Sequence, residues 1–357
     1  MSRLLTDWPD RRFARPGRRR KPVVGPDTLA RAVSMAGCYG VALAAAAAVL
    51  AGLIPASAAR AADRIRVGNP SVQSFSFLAL RLGIAHGFFA KYGVDAEEVT
   101  LNGSARLHQA MTAGSLDIGL GAGTDLIFLV KGAPEIAVAS MAGPPLLLGV
   151  IVPFDSPARS ADDLKGKRIG VSTVNSLTQW LMRELARQKG WDADALTYVT
   201  VGAELPNQVA ALVTGQIDAV VSSSALGLQL AETRRGRLLF PASDIVRDFM
   251  IHTIYASEQI VQKNPDAVRR FLNGWFDTIA FMRGNKDETV RASRERTNFS
   301  IEVEEKQYDL VMPMFSDTGR FEPPALATIR RSFVDLRLID KEPELTKYCT
   351  EQFLPAR

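Results

Sequence analysis

The chain has 357 residues, 47% of them hydrophobic and 23% charged, enough apolar material for more than one core. Its net charge of +5 is unevenly placed: residues 1–61 hold ten Lys or Arg against three Asp or Glu, and the other 33 basic and 35 acidic residues balance at −2. The part that follows residue 61 therefore lacks the basic excess that a nucleic-acid backbone demands, and no nucleic-acid partner is expected.

Residues 1–61 have the order of an export signal. A basic stretch, RRFARPGRRRKP, precedes the apolar run MAGCYGVALAAAAAVLAGLIPA, and small residues then place Ala59 and Ala61 in an A-x-A arrangement. Cleavage is expected between Ala61 and Ala62; retention of the apolar run as an anchor is the alternative. After cleavage only Cys349 remains, so no internal disulfide is expected.

Beyond the leader the chain repeats itself. Ile65–Gly68 and Ile169–Val171 read as strands, each leading through a polar turn, NPSVQS or STVNS, into a helical stretch. In the first, Phe77, Leu80, Ile84 and Phe88 are spaced for one helical face; in the second, Leu177, Trp180, Leu181, Met182 and Leu185 make the stripe. A second strand follows in each half (EEVTL, TYVTV), then a short helix closed by Gly114 or Gly215, then a third strand, LDIGLG or IDAVVSS. Asp117 and Asp218 open those third strands and read as structural turn acceptors. The pattern is β-α-β-α-β twice, which requires parallel strands with covering helices.

The last third breaks the pattern. IHTIYAS is strand-like, and QIVQKNPDAVRRFLNGWFDTIAFMRGN is a helix entered through Asn264–Pro265. ETVRASRERT reads as a solvated charged face or loop. Helical stretches in EVEEKQYDLVMPMF and PPALATIRRSFVDLRLI are expected to pack back on the first half. Apolar extended segments near Val150–Pro153 and Phe249–Thr253 suit two connections between the halves.

Ligands of open α/β sheets bind beyond the carboxyl ends of the strands, where helix N-termini offer unpaired N–H groups. Those ends carry Asn69, Ser71, Gln73 and Ser74; Asn102 and Gly103; and Gly121, Gly123 and Thr124 in the first half. The second half offers Ser172, Thr173, Asn175 and Ser176; Glu204; and Ser222, Ser223 and Ser224. Such residues also cap helices, but their convergence on one end of both halves points to a site for a small solute. Asp125 and Glu204 would favour a cationic or amide group if they reached it. Phe75, Phe77 and Trp180 read as core.

In order, GNPSVQSFSFLALRLGIAHGFFAKYGVD, LNGSARLHQAMTAGSLDIGLGAGTDL, DLKGKRIGVSTVNSLTQWLMREL, VTGQIDAVVSS and IYASEQIVQKNPDAVRRFLNGW resemble periplasmic solute-binding proteins of ABC importers, of the nitrate/sulfonate/taurine and thiamine-pyrimidine type. The resemblance implies an α/β, two-lobed type II periplasmic-binding-protein fold with two hinge crossings. Its expected divisions are 1–61 signal peptide, 62–152 first lobe, 153–249 second lobe, and 250–357 return to the first lobe with C-terminal helices. It implies an exported, monomeric receptor that delivers a small anion to an ABC permease. A receptor for a neutral heterocycle such as a thiamine-precursor pyrimidine, and a sensor without transport role, stay open.

Catalysis is not expected. The cysteine-rich motif of synthase relatives is missing, and no G-x-S-x-G elbow occurs. His86, His108 and His252 have no metal-ligand spacing, so no metal or cofactor is expected. His86 reads as a helix-end residue and His108 as solvated.

Overall fold

A computed structural model describes residues 62–356 apart from 72, 102 and 193. The leader, its expected cleavage point and Asn102 lie outside the described residues.

Two five-stranded sheets share one topology. The first is built from β1 (Asp63–Asn69), β2 (Val94–Thr100), β3 (Ile118–Ala122), β4 (Glu135–Ala142) and the late strand β10 (His252–Ser257), in the order β2-β1-β3-β10-β4. The second is built from β5 (Leu148–Pro153), β6 (Arg168–Val171), β7 (Thr197–Thr200), β8 (Ala219–Ser223) and β9 (Gly236–Pro241), in the order β7-β6-β8-β5-β9. In each, the first three strands are parallel, as the repeat predicts, and the last two run antiparallel to their neighbours.

The crossovers of the first sheet are α1 (Leu78–Ala85) and α2 (Ser104–Thr112), with the short α3 (Leu126–Val130) after β3. Those of the second are α4 (Leu177–Gln188) and α5 (Leu205–Val213), with α6 (Ser224–Glu232) after β8. Helix α1 is shorter than its apolar spacing suggests: it ends at Ala85, Ile84 is 39% exposed, and Gly87 at φ +70° turns the chain before Phe88. His86 caps that helix, as read.

The same physical device joins β1 to β3 and β6 to β8. Gly114 and Gly215, both at φ +71°, end α2 and α5. The apolar residue next in line, Leu116 or Ile217, then drops onto the middle of the sheet. A Cβ on Gly68 would stand 2.5 Å from Leu116 Cδ1, and one on Gly170 2.6 Å from Ile217 Cδ1, so a larger residue would push that side chain aside. The Asp that follows turns back to an arginine. Asp117 accepts from Arg66 N (2.8 Å), Nε (2.9 Å) and Nη2 (2.8 Å); Asp218 accepts from Arg168 N (2.8 Å), Nε (3.1 Å) and Nη2 (2.8 Å). Both aspartates are the turn acceptors that their positions suggest.

The remaining helices are α7 (Glu258–Lys263), α8 (Pro265–Gly284), α9 (Lys286–Arg294), α10 (Ile301–Val311) and α11 (Pro323–Asp335). Asn264 caps α8 by accepting from Ala267 N at 3.3 Å, with Pro265 in the first turn. Phe271, Leu272, Trp275 and Phe276 on α8 are buried, and Phe271 stacks on Phe89 at 5.0 Å. Each such ring contributes about 1.5–3 kcal/mol by leaving water. The C-terminal helices do not return to the first sheet alone. Ser300 Oγ donates to Glu232 Oε1 of α6 (2.8 Å). From α11, Asp335 accepts from Trp180 Nε1 (3.0 Å), and Arg331 lies 3.1 Å from Glu184 on α4. Long side chains with no partner nearby in sequence decide this packing, so periodicity did not reveal it.

The chain crosses between sheets at residues 143–147 and again at residues 242–251. Val150–Pro153, expected as the first crossing, lies inside β5 because it finds partners on both sides there. Phe249–Ile251 do belong to the second crossing, while His252 and Thr253 start β10. Ile251 N donates to Gly143 O at 3.0 Å, tying the two crossings together. Among the described residues no helix is long and apolar enough to cross a membrane.

The two arginine–aspartate clamps differ in depth: the Asp117 side chain is 18% exposed and that of Asp218 35%. Replacing Asp117 by Ala strands a partly buried arginine and should cost about 2–3 kcal/mol, against about 1 kcal/mol for Asp218→Ala. Urea unfolding of the two variants checks the order; equal losses would contradict it.

Candidate functional site

The parallel strands of each sheet end on the side away from the clamps, and every end opens into a turn or helix start. After β1, Asn69 is fully buried: its Nδ2 donates to Glu98 Oε1 (3.0 Å) and its Oδ1 accepts from Ser71 N (3.2 Å). Asn69 therefore builds the turn and is closed off from the open side, a correction to its expected role. Ser71 and Ser74 are half-buried and Gln73 is exposed, and their side chains bond to no described residue. Gly103 is exposed at φ +91° and gives its N–H to Pro70 O (3.1 Å).

After β3, Gly123, Thr124 and Asp125 form a 3-10 turn. Gly123 is a second correction: its N–H donates to Ile251 O (3.0 Å), and a Cβ there would stand 1.9 Å from Met250 O. It is glycine because the second crossing presses against it. Thr124, half-buried with its hydroxyl unengaged, is the group this turn offers.

Asp125 does not reach the open side; it is buried, and its Oδ2 accepts from Ala122 N at 2.8 Å. The same carboxylate meets His108, which is 3% exposed rather than solvated. His108 Nδ1 bonds to Glu135 Oε2 at 2.7 Å, and Nε2 lies 3.3 Å from Asp125 Oδ2, in ion-pair range but outside hydrogen-bond geometry. The ring stacks on Phe128 (4.6 Å) and meets Tyr255 edge-on (5.1 Å). Burial alone would lower the His108 pKa, but the close carboxylates of Asp125 and Glu135 outweigh it and raise the value to about 9. Nearby, burial pushes His252 down to about 4, opposed by the Gly121 carbonyl and Asp125, so that ring stays neutral. A charged ring between two carboxylates thus braces the turn that carries Thr124.

In the second lobe the turn after β6 is a hydroxyl network. Ser172 N donates to Thr178 Oγ1 (3.0 Å), and Ser172 Oγ lies 3.1 Å and Ser176 Oγ 2.9 Å from that same atom. Ser176 Oγ also donates to Thr173 O (2.7 Å) and caps α4. Asn175 sits at φ +59° and gives its N–H to Gln179 Oε1 (2.7 Å), leaving its side chain free of described partners. Thr178 and Gln179 were not anticipated; they follow the turn at helical spacing, which is the signal that could have found them. Glu204 is the exposed N-cap of α5. Ser222 is buried and donates to Gln208 (2.5 Å), and Ser224 donates to Leu146 O (2.8 Å), so both are structural. Ser223, between them, is half-buried with an unengaged hydroxyl.

Phe75, Phe77 and Trp180 are core residues, 3%, 2% and 1% exposed. The groups left available are thus Ser71, Gln73, Ser74 and Thr124 on one lobe and Thr173, Asn175, Ser223 and Glu204 on the other. They are small hydroxyls and amides with one carboxylate, suited to binding polar atoms and lacking a nucleophile–base pair. Cavities also open elsewhere. One of about 410 Å³ lies among Phe321, Leu326, Arg330, Glu344 and Cys349 near the C-terminus.

A family model described as NMT1/THI5 like matches residues 74–289. The chain is similar to a formylaminopyrimidine-binding protein of Halalkalibacterium halodurans, 24% identical over 254 residues, 68% of this chain and 73% of that one. In three dimensions it is similar to the periplasmic aliphatic sulphonate binding protein SsuA of Escherichia coli, with TM-score 0.68, 18% identity, and 81% and 92% of the two chains covered. It is also similar to the desulfurization enzyme DSZB, with TM-score 0.59, 15% identity, and 82% and 97% covered. At these identities the structural likenesses establish the two-lobed fold.

The His108 network sets a pH dependence. A folded-state pKa of about 9 against an ordinary 6.5 adds stability on the order of 3 kcal/mol. Because the pKa is raised, that contribution is complete below about pH 6.5 and is lost as pH rises through about 9. Melting temperatures should fall across that window, and His108→Gln should flatten the slope; an unchanged slope would remove His108 as its source.

Proposed function

The chain belongs to the NMT1/THI5-like family, and from that premise we propose that it is an extracytoplasmic solute receptor of an ABC importer. It captures a small organic or inorganic anion, of the sulfonate, taurine or nitrate kind, between its lobes and delivers it to the permease in the inner membrane. The observation that carries this reading is the pairing of two like sheets whose strands end in turns with unengaged hydroxyl and amide groups. Such groups hold an anion together with helix N-termini. The sulfonate-binding neighbour supports the solute class.

The functional unit runs from residue 62, after removal of the leader, in the periplasm and as a monomer. Its first lobe is built on β1 to β4 and β10 and its second on β5 to β9, with residues 143–147 and 242–251 as the crossings between them. The solute meets one lobe first and draws in the other, and closure follows only from contacts made in the closed form. Thr173, Asn175 and Ser223 are the candidates for those contacts.

A second reading has its own support. The curated relative binds a formylaminopyrimidine, and Glu204 would accept hydrogen bonds from an amino-heterocycle. We read the chain as a receptor and not an enzyme, although DSZB has a related fold. The one cysteine after the leader, Cys349, is held by burial at a pKa of about 12, too high for a ready nucleophile. It also bridges to Ala137, within β4.

The test is a thermal-shift screen of residues 62–357 against nitrate, taurine, alkyl and aryl sulfonates, carboxylates and pyrimidines. Saturation at a hundred times the dissociation constant adds about 2.7 kcal/mol, a visible rise in melting temperature. An anionic hit supports the proposal; a pyrimidine hit alone transfers it to the second reading. Replacing Ser172 and Ser176 together by Ala dismantles the hydroxyl network and should weaken binding about tenfold or more by titration calorimetry. An unchanged constant would take that turn out of the site.

A further inference from the structure

Arg296 lies in the charged stretch expected to face solvent, yet its side chain is 4% exposed. Its Nη2 is 3.0 Å from Glu98 Oε1, and the same oxygen accepts from Asn69 Nδ2 at 3.0 Å. The two nitrogens therefore lie within about 6 Å of each other. Asn69 ends β1 and holds the amide of Ser71. The guanidinium thus stands at the crevice end of the first sheet, beside the turn that carries Ser71, Gln73 and Ser74.

Two of its donors are unused. Arg296 Nε and Nη1 are buried and have no acceptor among the described residues. A guanidinium cannot shed its proton to relieve that cost, and a buried donor without a partner is expensive. Glu98 balances the charge through one oxygen, shared with Asn69, and leaves the Nε and Nη1 donors without an acceptor among the described residues. The other available groups at this end are neutral.

We propose that Arg296 recognises the acidic head of the solute, a sulfonate, carboxylate or similar oxyanion. This rests on the receptor reading above and deepens it by naming the charge-selecting residue. A planar guanidinium suits an oxyanion because it can donate two parallel hydrogen bonds. The buried atoms also require the chain covering them to yield as the solute enters. Glu98 then acts as a competitor: it holds the guanidinium in place and offsets part of the charge that an anion would use.

The two residues give opposite signatures in calorimetric titration with 1-pentanesulfonate, taurine and nitrate. Arg296→Gln should weaken the best of these about tenfold to a hundredfold, with Arg296→Lys in between, because the lysine keeps the charge and loses the fork. Glu98→Gln should bind the same anion several-fold more tightly, and it keeps the test alive if Arg296→Gln fails to fold. If Arg296 only braces Glu98, then Glu98→Gln will lower the melting temperature without tightening binding, and the proposal falls. Wild-type affinity for an anion that survives Arg296→Gln also overturns it while leaving the receptor reading intact. Binding of a pyrimidine with no response to any of the three anions overturns both.

Discussion

The arrangement of both lobes depends on how a parallel sheet closes its lower edge. Three parallel strands have no hairpins to fix their register, so something else must pin the third strand against the first. Here the pin is an arginine on the first strand of each set and an aspartate just before the third, joined by main-chain and side-chain bonds. A glycine on the strand lets the residue before the aspartate sink onto the sheet. With that edge fixed, the three parallel strands of each sheet point their carboxyl ends the same way, and the turns proposed to meet a solute collect there.

Much of this was legible in the sequence because it is local. Gly114, Leu116 and Asp117 recur as Gly215, Ile217 and Asp218 at the same offsets, and crossover geometry leaves few other readings. Four strands were not legible as sheet members: β4 and β9, outside the repeat, were not read at all, and two more were not placed. β10 inserts between β3 and β4 although the whole second lobe separates it from them in sequence, and β5 enters the second sheet from the first crossing. Nothing near Val150 says whether an apolar extended segment will pair or cross.

The side chains read wrongly share a cause. His108 looks solvated on a helix beside Gln109, because Glu135 stands 27 residues away and Asp125 enters from another turn. Arg296 looks solvated in a charged run, because Glu98 comes from β2, 198 residues distant. Asn69 and Gly123 look like ligand groups because strand ends need such residues for their own architecture as well. Buried polar pairs between distant segments leave no periodic trace, and small polar residues leave the same trace whether they face a solute or the backbone.

Trp180 draws a last consequence from the packing. On α4 of the second lobe, it is 1% exposed, stacks on Phe249 of the second crossing at 5.7 Å and donates to Asp335 of the C-terminal helix at 3.0 Å. One indole thus joins α4, the second crossing and the C-terminal helix. The indole's emission depends on its hydrogen bond and on the ring beside it, so a rearrangement at this junction changes the chain's own fluorescence against the background of Trp191 and Trp275.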